Sequence, residues 1–227
     1  MQSKKRSKIF KFLMCFIAAF PIFATGIQAA SLIKKLSIRL NPVGILALGG
    51  SYNDTEKLKD IVNTGLGVNA GFRYEVSENF YINAGYTYNW MSVKEEKKPF
   101  DYRHTSSFFN LSSFTLNVEL FLKSGYKVEP YLTLGCGIYP WKFSEDAFKG
   151  KAWPAPGRPQ DSFSNSSFGL SSGLGTEVFI YTHLSAIIEL RYTYIFSRDI
   201  AKFGTDDFNQ QDFLGVNLGI IYYFGKE

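Results

Sequence analysis

The sequence predicts an all-β fold: an eight-stranded antiparallel up-and-down β-barrel that spans a membrane. Three observations predict it: an apolar/polar period of two from residue 36 onward, connections that alternate short and long, and an apolar face with no second sheet to cover it. Composition agrees, since 22 Phe, 14 Tyr and 20 Gly among 227 residues favour strands and tight bends. Beyond residue 30 no apolar run reaches the roughly 18 residues that a spanning helix needs.

Residues 1–30 read as a separate unit. Lys4, Lys5, Arg6, Lys8 and Lys11 form a basic stretch, and Phe12 to Ala24 an apolar one broken by Pro21. Small residues Gly26, Ala29 and Ala30 follow, completing the order of a cleaved secretory signal peptide, with cleavage expected after one of these three. The apolar stretch is short and interrupted for a retained anchor, and Cys15 within it lacks the preceding small residues of a lipoprotein signal. Residues 31–227 are then the barrel domain. Removing the five basic residues of the signal from the 25 Lys and Arg leaves 20, against 20 Asp and Glu. The basic pI of about 9.0 therefore belongs to the signal, and no nucleic-acid partner is expected. Cys136 remains as a lone thiol without metal-ligand spacing around it, so it reads as a small apolar strand residue. No cofactor or metal site is expected.

Eight segments carry the strand period: about 36–50, 61–76, 80–93, 106–122, 128–143, 166–180, 184–198 and 211–224. The last is the clearest, with Leu214, Val216, Leu218, Ile220, Tyr222 and Phe224 on one face and Gly215, Asn217 and Gly219 among those on the other. The first is the least regular, and Pro42 is expected to sit at a bulge. No helix-period segment is expected in the barrel domain. Ser77-Glu78-Asn79, Lys123 to Lys127 and Tyr181-Thr182-His183 are tight turns, whereas about 51–60, 94–105, 144–165 and 199–210 are long polar loops. Bacterial outer-membrane barrels show this asymmetry, with short periplasmic turns and longer external loops, and an even strand count places both termini on the periplasmic side.

A soluble ligand-carrying barrel buries its apolar face inward. Here Leu, Val, Ile, Phe and Tyr fill one face of almost every strand, while Gly, Asn, Thr, Ser and charges occupy the other. Lipid is the expected solvent of the apolar face. Arg39, Arg73, Glu75, Glu119, Glu129, Glu177, Glu189 and Arg191 then point inward and fall towards the short-turn half. Buried charges must be paired, so a salt-bridged, plugged lumen without porin function is expected. Aromatic residues should form two interfacial girdles. Tyr86, Tyr88, Trp90, Phe108, Tyr192, Tyr194 and Phe196 lie towards the long-loop ends; Phe72, Tyr74, Phe80, Tyr222 and Phe224 lie towards the short turns.

Asn217, Gly219, Tyr222 and Phe224 match the spacing of the C-terminal assembly signal of bacterial outer-membrane proteins, although the chain continues with Gly225-Lys226-Glu227. With Gly173-Leu174-Gly175-Thr176-Glu177 and, after a tight turn, Glu189-Leu190-Arg191-Tyr192, the chain resembles the small barrels of the OmpA and OmpX type. From the sequence, no peptidoglycan-binding domain is expected after the last strand. The resemblance implies insertion by the barrel assembly machinery, with outer-membrane lipid and lipopolysaccharide as surroundings. It also implies a structural or surface-interaction role, for which loops 94–105 and 144–165 offer Lys94-Glu95-Glu96-Lys97-Lys98 and Trp153-Pro154-Ala155-Pro156 to a host or cell-surface ligand. Alternative readings are a small-solute channel and a lipid A-modifying enzyme. The second rests on a resemblance of His183-Leu184-Ser185 with Glu189 to the His-x-Ser pair and Glu of a lipid A-remodelling barrel family, but His183 falls in a periplasmic turn and that family's Asn after the Ser is Ala186 here. His104, beside Asp101 and Arg103, reads as a solvated loop residue.

Overall fold

The computed structural model describes residues 35–50, 57–97, 108–122, 127–143, 164–197 and 209–225. The expected signal peptide, most of the long loops, and with them His104 and Trp153 to Pro156, lie outside the described residues. Eight strands form one closed sheet: β1 (Leu36–Ala47), β2 (Gly65–Ser77), β3 (Phe80–Ser92), β4 (Phe108–Phe121), β5 (Val128–Phe143), β6 (Ser164–Tyr181), β7 (Leu184–Ile195) and β8 (Gln211–Tyr223). Each pairs antiparallel with its neighbour in sequence, and β1 pairs with β8 to close the barrel. Closure leaves no free sheet edge, which a lipid-immersed sheet requires because hydrocarbon offers backbone groups no partner.

Burial alternates along every strand as the period of two demands. The outward row is exposed and apolar: Leu66 is 63% exposed, Leu134 66%, Phe72 60% and Phe114 60%. Of the aromatic residues expected to form girdles, Tyr86, Tyr88, Trp90, Phe108, Tyr192 and Phe196 are exposed towards the long loops and Phe72, Tyr222 and Phe224 towards the short turns. Cys136 is exposed within this apolar belt.

The tight hairpins bend on Glu78-Asn79 and Thr182-His183. Each carries a register shift beside the turn, between Glu75 and Ser77 and between Phe179 and Tyr181, as expected where an extra residue matches turn twist to sheet twist. Pro42 is not at a bulge. It pairs in register with Val68, and the ladder to β8 lapses at Asn41 and Pro42 and resumes at Val43 in the same register. A proline here costs a ladder bond without displacing the strand.

The expectation of no helical segment also needs correction. Leu58–Ile61 forms one helical turn, α1, and Glu95–Lys97 a 3-10 turn. β2 accordingly begins at Gly65 rather than at 61.

Candidate functional site in the barrel lumen

The inward side chains stack in layers along the barrel. Towards the short turns two buried clusters fill the lumen: Tyr81, Phe121 and Tyr131 form one, and Ile187, Ile221 and Tyr223 the other. The charges lie among them, Glu119 paired with Tyr81, Arg39 with Ile221 and Glu177 with Ile187 in the strand registers. Arg39 and Arg73 are each 1% exposed, held inward by β1 and β2.

Six of the inward charges join in one alternating chain. Glu177 Oε2 lies 2.8 Å from Arg73 Nη1, and Arg73 Nε lies 3.2 Å from Glu119 Oε2 without hydrogen-bond alignment. Arg39 Nη1 then donates to Glu119 Oε1 at 3.2 Å and Arg39 Nη2 to Glu189 Oε2 at 3.0 Å. Arg191 Nε closes the run on Glu189 Oε1 at 2.8 Å. Three arginines thus balance three glutamates across strands β6, β2, β4, β1 and β7. Balance matters because an uncompensated charge in a low-dielectric interior is costly, whereas a fully hydrogen-bonded network rigidifies what it spans.

Neutral donors add to the carboxylates, although Glu119 Oε2 accepts no hydrogen bond. Asn83 Nδ2 donates to Glu119 Oε1 at 2.9 Å, and Tyr131 Oη to Glu189 Oε2 at 3.0 Å. Asn217 Nδ2 donates to Glu189 Oε1 at 3.1 Å. Ser185 Oγ and Tyr223 Oη both donate to Glu177 Oε1. The Arg73 guanidinium also lies 4.1 Å from the Tyr81 ring centroid and 5.0 Å from that of Phe121, within cation–π range. Gly175 makes room for this packing, since a Cβ there would run into the Tyr131 ring.

Of the other two expected members, Glu75 is half-buried near the turn to β3, and Glu129 is buried opposite Glu177 in register. The three residues of the enzymatic alternative do not converge. His183 is exposed in its turn, Ser185 is buried on Glu177, and Glu189 is engaged by Arg39, Arg191, Tyr131 and Asn217. Among the described residues no group of three or more His, Cys, Asp or Glu could hold a metal. In the last strand Asn217 points inward beside Glu189, Gly219 sits where a Cβ would meet Asn41, and Tyr222 and Phe224 face outward.

Above the charges is a polar layer, in which Asn69 Nδ2 donates to Thr87 Oγ1 at 2.7 Å and Asn117 Nδ2 to Thr115 Oγ1 at 3.1 Å. A cavity of about 50 Å³ follows, bordered by Thr87, Asn89, Ser113 and Thr193. The long-loop end is different again. There Ile45, Met91, Phe109, Trp141, Phe143 and Phe213 turn inward and pack together, with Phe109 and Phe143 ring centroids 4.6 Å apart. Gly, Asn, Thr, Ser and charges therefore do not have the inward face to themselves: apolar and aromatic residues share it with the charges towards the short turns and take it over at the long-loop end. Period two assigned these residues to the inward face, but only the strand register puts them at one height.

Comparison with known proteins follows the same lines. A family described as Opacity family porin protein matches residues 39–107, less than a third of the chain. No curated protein matches the sequence. Among solved structures, Neisserial surface protein A is similar at 13% identity and a TM-score of 0.57, covering 83% of this chain and 97% of that one. The attachment invasion locus protein of Yersinia pestis is 20% identical with a TM-score of 0.48, at 83% and 97% coverage. The outer membrane protein OprG of Pseudomonas aeruginosa is 13% identical with a TM-score of 0.47, covering 84% of this chain and 96% of that one. With its closed eight-stranded meander and exposed apolar belt, the chain has the fold of the small outer-membrane β-barrels.

Proposed function

We propose that this barrel does not conduct solutes but serves as a rigid outer-membrane support for its long loops, in an envelope-structural or surface-contact role. The observation that carries the reading is the ion-pair chain Glu177–Arg73–Glu119–Arg39–Glu189–Arg191, which runs across the lumen with packed aromatic residues on either side. Eight strands leave little interior beyond what side chains fill. The porin description of the matching family does not alter this, because conduction is a property of a lumen and not of a fold. The likeness to a Neisserial surface protein points the same way. On this reading residues 1–30 are the cleaved export signal, and Asn217, Gly219, Tyr222 and Phe224 direct insertion by the barrel assembly machinery. Loops 94–105 and 144–165 then contact lipopolysaccharide or a host or cell-surface ligand.

One paired experiment tests both halves. Detergent-folded protein in planar bilayers should show no porin-level conductance, and deleting residues 149–161 should lower binding of expressing cells to host cells without changing barrel yield. Steady porin-scale currents would overturn the plugged lumen. Unchanged binding would remove this loop's contact role, and a shifted lipid A mass on expression would point to an enzyme instead.

A further inference from the structure

The helical turn α1 lies at the long-loop end of the barrel, and its two sides have opposite chemistry. Leu58 is 0% exposed, and Ile61 and Val62 are buried with it among the inward Met91, Phe109 and Trp141. Lys57, Lys59 and Asp60 are exposed on the other side. A helix of four residues has no stability of its own, because nucleation outweighs so few propagation steps. What holds it is the surface beneath and the strand ends beside it. Leu58 N donates to Gly50 O at 3.1 Å, Lys94 N to Ile61 O at 2.9 Å and Asn63 N to Ser92 O at 2.9 Å. Val62 and Val93 form an isolated antiparallel bridge.

The rim that receives α1 is itself unusual. Wide barrels with aqueous channels keep their interior polar, whereas here the inward residues at the mouth are apolar and fit the apolar side of the turn. Directly below is the cavity of about 50 Å³, whose wall mixes Val43, Ile45, Leu111 and Phe213 with Thr87, Asn89, Ser113 and Thr193. The polar groups in that wall suit a water.

We propose that Lys57–Val62 is an apolar stopper seated in the barrel mouth, a seal separate from the ion-pair chain and enclosing a small hydrated chamber between the two. The inference rests on the reading of a plugged lumen and adds a second closure, facing the outside. Apolar contact excludes ions at the mouth, while paired charges cross-link the strands lower down.

Thiol labelling tests the stopper independently of conductance. In a Cys136→Ser background, Ser113→Cys places a reporter in the chamber wall and His183→Cys a reference in an exposed turn. A charged, membrane-impermeant methanethiosulfonate should label the Ser113→Cys protein more slowly than the His183→Cys protein by on the order of tenfold or more. Labelling of a closed site follows its open population, so Leu58→Asp with Ile61→Asp should raise the Ser113→Cys rate by on the order of tenfold. Val62→Cys with Val93→Cys, oxidised to a disulfide, should lower it, and this variant leaves the apolar packing of α1 in place if the aspartates prevent folding. Fast labelling with α1 intact, or identical rates in open and locked variants that remain heat-modifiable, would overturn the stopper. Porin-scale conductance of the unaltered protein would instead overturn the plugged lumen, so the two failures are distinguishable.

Discussion

At the residue scale the arginines are not equivalent. Arg39 bridges Glu119 and Glu189, and each of those keeps another cation when Arg39 is removed, Arg73 for the first and Arg191 for the second. Arg73 bridges Glu119 and Glu177, and within the ion-pair chain Glu177 has no second arginine, only the hydroxyls of Ser185 and Tyr223. Breaking a buried pair by removing one partner costs about 3–5 kcal/mol, chiefly through the charge left behind. Arg73→Met should therefore cost in that range and more than Arg39→Met, measured by equilibrium urea unfolding in lipid vesicles. Adding Glu177→Gln to Arg73→Met should recover a coupling energy of about 0.5–3 kcal/mol. Equal losses for the two arginine variants, with no coupling to Glu177, would show that the chain does not partition as its contacts suggest.

At the element scale the terminal strand β8 joins two demands. Its inward Asn217 and Gly219 serve packing, the first on Glu189 and the second against Asn41, whereas outward Tyr222 and Phe224 touch no lumenal group. If the outward pair serves recognition by the assembly machinery, Phe224→Ala should reduce the heat-modifiable form in cell envelopes several-fold. Refolding of the purified variant into detergent should be unchanged. Loss of refolding to the same degree would assign Phe224 to stability and not to recognition. The strands themselves were legible in the sequence because period two persists through each one and turn residues bound it. Where the reading slipped, the physical reason is specific. Ile61 and Val62 look like the start of a strand, and a single helical turn from Leu58 to Ile61 is too short for a 3.6-residue period to show. Alternation puts Tyr131, Tyr223, Ser185 and Asn83 on inward faces but does not make them partners of the charges. Alternation gives the face of a residue, while its height, and so its neighbour, depends on register between strands far apart in sequence. The same limit hid the apolar mouth, whose Phe109, Trp141, Phe143 and Phe213 come from three strands, β4, β5 and β8.

At the scale of the whole molecule, the barrel is an inverted object: charges and amides are inside, and the exposed belt is Leu, Val, Ile and Phe. Such a surface is stable only against hydrocarbon, so its tolerance of charge should depend on depth and not on local packing. Leu134 lies well inside β5, paired with Val118 and Ser172, and is 66% exposed. Leu46 lies one residue from the long-loop end of β1, paired with Leu214, and is 42% exposed. Both side chains are outward and neither supports a lumenal contact. On a water-soluble barrel, Arg at either position would change stability by less than about 0.5 kcal/mol, as surface substitutions usually do. On a lipid-facing belt, Leu134→Arg should cost about 2–4 kcal/mol and Leu46→Arg about 0–1 kcal/mol, because the penalty falls from the bilayer midplane to its interfaces. Reversible urea unfolding of both variants in phospholipid vesicles measures the difference directly. A depth-independent response, or a larger loss at Leu46 than at Leu134, would contradict the placement of this belt across the bilayer.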